Sequence, residues 1–195
     1  MMVKICGVTN SEDALAAIDG GASALGFNFY PKSPRYIDPD RAAELIAGLP
    51  AAVWKVGVFV NESPERITEM VGRVGLDVVQ LVGQAIRLPG LRIWRTAYVD
   101  ENFRLSDIED DPAEAILLDA PAGQAYGGTG RTFDWSRAAG STRRIILAGG
   151  LEAGNVRQAI AAAQPWGVDI CSRIESSPGR KDHVKMAQFL REATL

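Results

Sequence analysis

Eight short apolar segments, separated by segments with helical patterning, constrain the fold of this chain most strongly. In order they are Val3–Cys6, Ala24–Tyr30, Trp54–Val60, Val78–Val82, Arg92–Val99, Ala115–Asp119, Arg144–Ala148 and Val168–Cys171. Most are rich in Val, Ile, Leu and aromatic residues, which is typical of strands buried on both faces of a parallel sheet. The pattern therefore favours an α/β fold with eight parallel strands.

The segments between these strands carry helix start and stop signals. Asn10 can cap the first helix, Pro39 precedes the second, and Ser63-Pro64 opens the third. The predicted helices are Glu12–Asp19, Asp40–Ala47, Pro64–Val74, Asn102–Glu109, Asp134–Ala139, Leu151–Ala163 and Asp182–Ala193.

The connection between the fourth and fifth strands is the exception. Gly83–Leu91 supplies only nine residues and contains Pro89 and Gly90, whereas a crossover with its helix usually needs about 10–12. We therefore expect the fourth helix to be truncated or missing, and an apolar patch to be exposed beside the fourth strand.

Alternating strands and helices predict a (β/α)8 TIM barrel, with residues 1–195 forming a single domain. The alternative is an open doubly wound sheet. However, the first strand is not followed by the pattern G-x-G-x-x-G, and the chain has no Walker A motif. The 195 residues make a slightly short barrel, since this fold typically needs about 200–250.

Composition excludes several classes of function. No apolar run approaches the length of a membrane span, and the net charge of −3 disfavours a general nucleic-acid binder. Two cysteines and no secretory signal fit a reduced, cytoplasmic setting. The single histidine, His183, excludes a multi-histidine zinc site, and we expect it to have a surface or capping role at the last helix.

In such a barrel, the catalytic and binding residues lie at the carboxyl ends of the strands. Cys6 ends the first strand and is a candidate base or nucleophile, although free cysteine is more commonly a small buried apolar residue. Asp119 ends the sixth strand, where desolvation would make it a usable acid; the alternative is a cap or an ion pair in the next loop.

Three residues in the last two strand–helix loops are candidates for binding phosphate. Gly149, Gly150 and Ser172 lie where these barrels commonly bind it, although by position alone ordinary turns are the more common explanation. Arg35 follows the rigid Pro34 and is either a fork for a carboxylate or a solvated surface residue.

Motifs along nearly the whole chain resemble one family. They are Lys4-Ile5-Cys6-Gly7-Val8-Thr9, Gly26-Phe27-Asn28-Phe29, Ser33-Pro34-Arg35-Tyr36-Ile37, Val56–Asn61, Leu117-Leu118-Asp119, Gly127-Gly128-Thr129-Gly130, Leu147–Leu151 and Ser176–Asp182. In this order they resemble phosphoribosylanthranilate isomerase. The resemblance implies a cofactor-free and metal-free acid–base Amadori rearrangement in tryptophan biosynthesis. The substrate would be a phosphorylated small molecule, N-(5-phosphoribosyl)anthranilate, and the chain a monomer or a homodimer.

The resemblance also implies a role for each candidate residue. Cys6 would remove the C2′ proton of the sugar, Asp119 would protonate the ring oxygen, and Arg35 would contact the anthranilate carboxylate. The phosphate would be bound by Gly149, Gly150 and Ser172, and the loop containing Gly128 would close over the substrate.

The chain departs from the family pattern at two strand ends. Where the family has Gln-Leu-His-Gly, this chain places Val82 in the histidine position. Where the family has Ser-Ser-Gly-Val-Glu, this chain has Cys171-Ser172-Arg173-Ile174-Glu175. Arg173 replaces a glycine, so it either blocks the phosphate or binds it, and it is strained if that glycine required a positive φ.

These departures leave two alternatives to an active isomerase. One is a relative with weakened or shifted substrate use, and the other is a non-catalytic barrel that binds a phosphorylated ligand. The presence of both Cys6 and Asp119 favours the active enzyme.

Overall fold

The computed structural model describes residues 1–84, 86–121 and 132–194. Within them, parallel strands pair in chain order and close into a barrel. The strands are β1 (Met2–Cys6), β2 (Ala24–Asn28), β3 (Trp54–Val60), β4 (Val78–Val82), β5 (Ile93–Tyr98), β6 (Ala115–Asp119), β7 (Ile145–Leu147) and β8 (Gly167–Ile170). Because β1 pairs with β8, from Met2↔Gly167 to Ile5↔Ile170, the predicted barrel is confirmed and the open sheet is excluded.

Helices follow most strands and cover the outside of the barrel. They are α1 (Ser11–Asp19), α2 (Pro39–Ala47), α3 (Pro64–Val74), α4 (Ser106–Glu109), α5 (Val156–Ala163) and α6 (His183–Thr194). Two 3₁₀ turns, Trp135–Ala138 and Ser172–Ile174, and a hairpin of β9 (Glu175–Ser177) and β10 (Arg180–Lys181) complete the described elements. None of the helices in these residues is long and apolar enough to cross a membrane.

Local capping chemistry explains where the helices begin. The Asn10 side chain accepts a hydrogen bond from the Asp13 amide at 2.8 Å, as the sequence predicts. Helix α5 starts at Val156 rather than at the predicted Leu151. The reason is that the Asn155 side chain accepts from the Glu152 amide and donates to the Gly150 carbonyl, which holds this segment in a turn.

The short fourth connection has no helix in its described residues 83–84 and 86–92, as predicted. The expected exposed apolar patch is wrong, however. Leu88 is buried, and Ile86 and Leu91 pack partly buried against the core, so the extended chain covers the strands in place of a helix.

Alternation along each strand separates two apolar regions. In β1, Val3 and Ile5 point outward into the core beneath the helices, whereas Met2 lies in a second cluster inside the barrel with Trp94 and Leu117. This inner cluster fills the amino-terminal end of the barrel. The carboxyl-terminal end is thereby left for polar groups.

Candidate active site

A cavity of about 350 Å³ opens at the carboxyl ends of the strands. This volume is within the usual range for a small-molecule site. Its lining includes every predicted site residue that the structure describes, namely Cys6, Arg35, Asp119, Gly149, Gly150, Ser172 and Arg173. Gly128 lies outside the described residues. Ring closure therefore brings together side chains that are far apart in the chain.

Cys6 is the last residue of β1 and contributes a thiol to this cavity. A hydrogen bond with Cys171 lowers the pKa of the Cys6 thiol well below its ordinary value. Burial opposes this effect, and attraction to Lys4 and Lys181 adds to it. The lowered pKa favours the thiolate form of Cys6, and a thiolate can accept a proton.

Asp119 ends β6 and lies across the cavity from Cys6. Burial raises the pKa of its carboxyl group to about 6, and the nearby Cys6 thiolate acts in the same direction. The Ala120 amide donates to Oδ1 at 2.8 Å and fixes the orientation of the carboxyl group. This group is suited to donate a proton near neutral pH.

Gly149 makes room for that carboxyl group. A Cβ on Gly149 would lie 2.9 Å from Asp119 Oδ1 and 2.8 Å from the Ala120 nitrogen. The residue also has a φ of +76°, and Gly150 has a φ of +64°. Glycine is therefore required at position 149 by backbone conformation and by close approach, independently of any phosphate contact.

A buried ion pair lies one layer below the thiol. Lys4 and Asp169 face each other in the β1–β8 register, and Lys4 Nζ is 2.6 Å from Asp169 Oδ1. Burial disfavours the charge of Lys4, but attraction to Asp169 and Cys6 prevails and raises its pKa above the ordinary value. Burial raises the pKa of Asp169 to about 7, despite Lys4. Lys4 thus supplies a fixed positive charge close to Cys6.

Arg35 is held by a carboxylate rather than solvated. Its Nε and Nη2 atoms donate to Glu175 at 3.0 and 2.7 Å. Glu175 also accepts from Lys181 Nζ at 3.2 Å, and these contacts outweigh burial and lower the pKa of Glu175. Lys181 Nζ further donates to the carbonyl oxygens of Cys6 and Cys171, at 2.6 and 3.3 Å. This network orients Arg35 at the cavity wall.

Arg173 and Val82 show what the two sequence departures do. Arg173 lies in a 3₁₀ turn without a positive φ, so the strain considered for this position is absent. Its side chain is 49% exposed and its guanidinium is 3.8 Å from Glu152, which places it at the rim of the cavity. Val82 is buried and gives the wall an apolar surface where the family has a histidine.

Sequence reasoning missed four of the charged residues at this end, namely Lys4, Asp169, Glu175 and Lys181. A signal was present for the first two. A lysine and an aspartate inside otherwise apolar strands must be paired when both strands are buried. Glu175 and Lys181 lie within the family motifs quoted above, but hairpin β9–β10, which brings the two side chains together, was not predicted.

A closed parallel barrel with an acidic thiol and a protonatable carboxyl group across its mouth defines an α/β-barrel enzyme of the acid–base class. Residues 3–192 match the family model "N-(5'phosphoribosyl)anthranilate (PRA) isomerase". The chain belongs to this family.

Individual relatives agree over nearly the full length. The N-(5'-phosphoribosyl)anthranilate isomerase of Solibacter usitatus is 52% identical over 99% of this chain and 97% of its own. The Geobacter sulfurreducens isomerase is 45% identical over 98% and 97%. The structure of the Thermotoga maritima isomerase covers 99% of this chain and 98% of its own, with a TM-score of 0.88 and 39% identity.

Two further solved structures describe what such relatives bind and how they assemble. One phosphoribosylanthranilate isomerase, 39% identical with a TM-score of 0.85 over 99% of this chain and 98% of its own, is in complex with reduced 1-(o-carboxyphenylamino)-1-deoxyribulose 5-phosphate. Another structure, with a TM-score of 0.88, contains monomers generated from the dimeric Thermotoga maritima protein.

Proposed function

We propose that this chain converts N-(5'-phosphoribosyl)anthranilate to 1-(2-carboxyphenylamino)-1-deoxyribulose 5-phosphate in tryptophan biosynthesis. One observation carries the mechanism. Cys6 and Asp119 face the same cavity with their pKa values shifted in opposite directions, which favours the basic form of the thiol and the acidic form of the carboxyl group.

The reaction begins at the carboxyl group. Protonated Asp119 donates to the furanose ring oxygen, and the bond from that oxygen to C1′ breaks. The lone pair of the anthranilate nitrogen replaces this bond and gives an iminium ion. The burial that raises the pKa of Asp119 to about 6 supports this step, because it keeps a fraction of the carboxyl groups protonated near neutral pH.

The second proton transfer occurs at the thiol. The Cys6 thiolate removes the proton from C2′, and the electron pair of the C–H bond neutralises the iminium ion to give an enolamine. Tautomerisation of the enolamine yields the ketone product. Lys4 lies beneath Cys6 and stabilises the thiolate before the transfer. Both steps are proton transfers, and neither requires a cofactor.

Substrate binding divides between the two sides of the cavity. We place the anthranilate carboxylate on Arg35, whose guanidinium is held by Glu175. The phosphate lies against the backbone of Gly149, Gly150 and Ser172, with Arg173 adding positive charge at the rim. A closing role for Gly128, a single domain over residues 1–195, a cytoplasmic location and a monomeric or homodimeric state remain predictions.

Rescue of a tryptophan auxotroph that lacks the isomerase tests this function. We expect the wild-type gene to restore growth and Asp119→Asn to fail. Asp110→Asn, which changes an exposed aspartate outside the cavity, is the matched control and should rescue fully. Absence of rescue by soluble wild-type protein would favour the non-catalytic binder. Slow growth that improves with Arg173→Gly would favour the weakened relative.

A further inference from the structure

The two cysteines lie side by side at the mouth of the barrel. The last register pair between β1 and β8 is Ile5↔Ile170, and Cys6 and Cys171 are the next residue on each side. Neighbouring strands are about 4.8 Å apart. A disulfide typically joins Cα atoms separated by about 4.4–6.8 Å. Adjacent positions on neighbouring strands therefore have a backbone separation that a disulfide can span.

Glycines leave the space that both sulfur atoms occupy. Gly7 follows Cys6 in the chain, and Cys171 Sγ lies 3.1 Å from the position that a Cβ on Gly7 would take. Cys6 Sγ lies 2.9 Å from the corresponding position on Gly26. Both thiols line the same cavity and are partly exposed, so a small reagent that enters the site reaches them.

The surrounding charges give the two thiols different reactivity. Lys181 donates to the carbonyl oxygens of both cysteines, and Lys4 lies one layer below Cys6. Cys171 Sγ is 4.0 Å from the carboxylate of Glu175. The hydrogen bond with Cys6, together with burial, raises the pKa of Cys171 well above its ordinary value, which favours the protonated thiol at Cys171 and the thiolate at Cys6. A thiolate next to a second thiol is the arrangement of a peroxide-sensitive pair.

We propose that Cys6 and Cys171 form a reversible intramolecular disulfide when a hydroperoxide enters the cavity, and that this bond switches the isomerase off. The loss of activity rests on the proposed function, in which Cys6 is the base. The bond formation rests on the adjacent positions of the two cysteines at the ends of β1 and β8 and on the cavity that both line, and it does not depend on catalysis.

The chemistry balances with hydrogen peroxide as the oxidant. The Cys6 thiolate attacks one peroxide oxygen, the O–O bond breaks, and sulfenic acid and hydroxide form. The Cys171 sulfur then attacks the sulfenic sulfur and displaces a second hydroxide. That hydroxide takes the Cys171 proton. Two thiols are oxidised and one peroxide is reduced to two water molecules, after protonation of the first hydroxide.

The test treats reduced wild-type protein, Cys171→Ser and Cys6→Ser with hydrogen peroxide. Intact mass, free-thiol titration and a non-reducing peptide map are recorded together with turnover. We expect the wild-type chain to lose two hydrogen atoms and both thiols, and to yield a linked Cys6–Cys171 peptide. Turnover should be lost completely and return with dithiothreitol. At excess peroxide, Cys171→Ser should instead accumulate two or three oxygen atoms on Cys6. Its turnover should not return with dithiothreitol, because thiols do not reduce sulfinic or sulfonic acid.

Three outcomes would overturn the proposal. They are oxidation of Cys6 without the linked peptide, linkage only between separate chains, and equal recovery of wild-type protein and Cys171→Ser. Mass and peptide mapping do not depend on catalysis. Reduced wild-type protein that forms the linked peptide but never turns over substrate would therefore refute the proposed function and support the disulfide. Matching unfolding midpoints for the three reduced proteins exclude misfolding as the cause.

Discussion

The two ends of this barrel bury opposite kinds of side chain. At the amino-terminal end Trp94 is fully buried, with its ring centroid 5.7 Å from that of Trp54 and 5.8 Å from that of Trp166. Arg92 and Arg144 stack over the outer rings and share Glu114, and these charges stay at the surface. At the carboxyl-terminal end, charges are buried among the cavity walls instead.

A single strand shows how the difference arises. The inward residues of β1 are Met2, Lys4 and Cys6, which run from apolar to charged to reactive along the barrel axis. The outward residues Val3 and Ile5 are apolar throughout. Apolar burial stabilises the fold, whereas burial of ionisable groups costs free energy unless they are paired. We infer that the amino-terminal end stabilises the barrel. The carboxyl-terminal end carries the buried charges that the chemistry needs, at a cost in stability.

The largest effect on activity should come from Asp119→Asn at the carboxyl-terminal end of the barrel. An amide cannot donate the proton that opens the furanose ring, so kcat should fall about 10²–10⁴-fold. Steady-state kinetics on purified protein measures this, with circular dichroism to verify the fold. Cys6→Ser should lose activity as well, since a hydroxyl is a much weaker base. Near-wild-type turnover in either variant would refute its assigned role.

Among changes at the amino-terminal end, Trp94→Ala should have the largest effect, and it should change stability but not activity. Truncating a buried tryptophan should lower the free energy of unfolding by about 3–5 kcal/mol. Urea denaturation measures this. The Trp94 indole N–H has no hydrogen-bond partner among the described residues. Trp94→Phe is therefore the matched control and should cost only about 1 kcal/mol. A fall in kcat for folded Trp94→Ala would contradict the division between the two ends.

Glu175→Gln tests whether the buried charges at the mouth position Arg35. Loss of the carboxylate frees the guanidinium, so KM should rise by up to about 10²-fold while kcat changes less. Glu114→Gln removes a carboxylate that also pairs with arginines but at the opposite end, and it should leave KM unchanged. A larger fall in kcat than rise in KM for Glu175→Gln would assign Glu175 a different role.

A smaller effect should come from the stability that the folded chain loses by burying the ionised carboxyl group of Asp119. Its pKa in the folded chain is raised to about 6, so the proton is bound more tightly than in the unfolded chain. This contribution favours the fold below about pH 4 and is lost as pH rises through about 6. At pH 7, Asp119→Asn should therefore raise the free energy of unfolding by about 1–3 kcal/mol more than it does at pH 4. Equal effects at both pH values would contradict this.

The smallest effect should follow from Arg173→Gly. The side chain lies at the rim and half exposed, where an ionic contact is worth only about 0–1 kcal/mol. We expect kcat/KM to change by less than about fivefold. A large rise would show that the arginine obstructs the phosphate, and a large fall would show that it binds it.

Much of the architecture was predictable because it depends on local patterns. The strands were recognised from apolar runs, with ends displaced by at most two residues, as for Ala24–Asn28 against the predicted Ala24–Tyr30. Asn10 was recognised as a cap. His183 opens α6 with its side chain 42% exposed, as expected for a surface position, and its Nε2 is 2.8 Å from Asp13 Oδ1. Cys6 and Asp119 were identified by their position at strand ends.

The sequence by itself determined the eight strands, the short fourth connection and the two candidate proton-transfer groups. These follow from residue type and spacing within a few residues. Only the tertiary structure decided that Lys4 meets Asp169, 165 positions away, that Arg35 meets Glu175, 140 positions away, and that Cys6 lies beside Cys171. The physical reason is ring closure. The register between β1 and β8 decides which inward-facing side chains lie at the same level of the barrel. Ion pairs and hydrogen bonds between those side chains then decide which of them are charged.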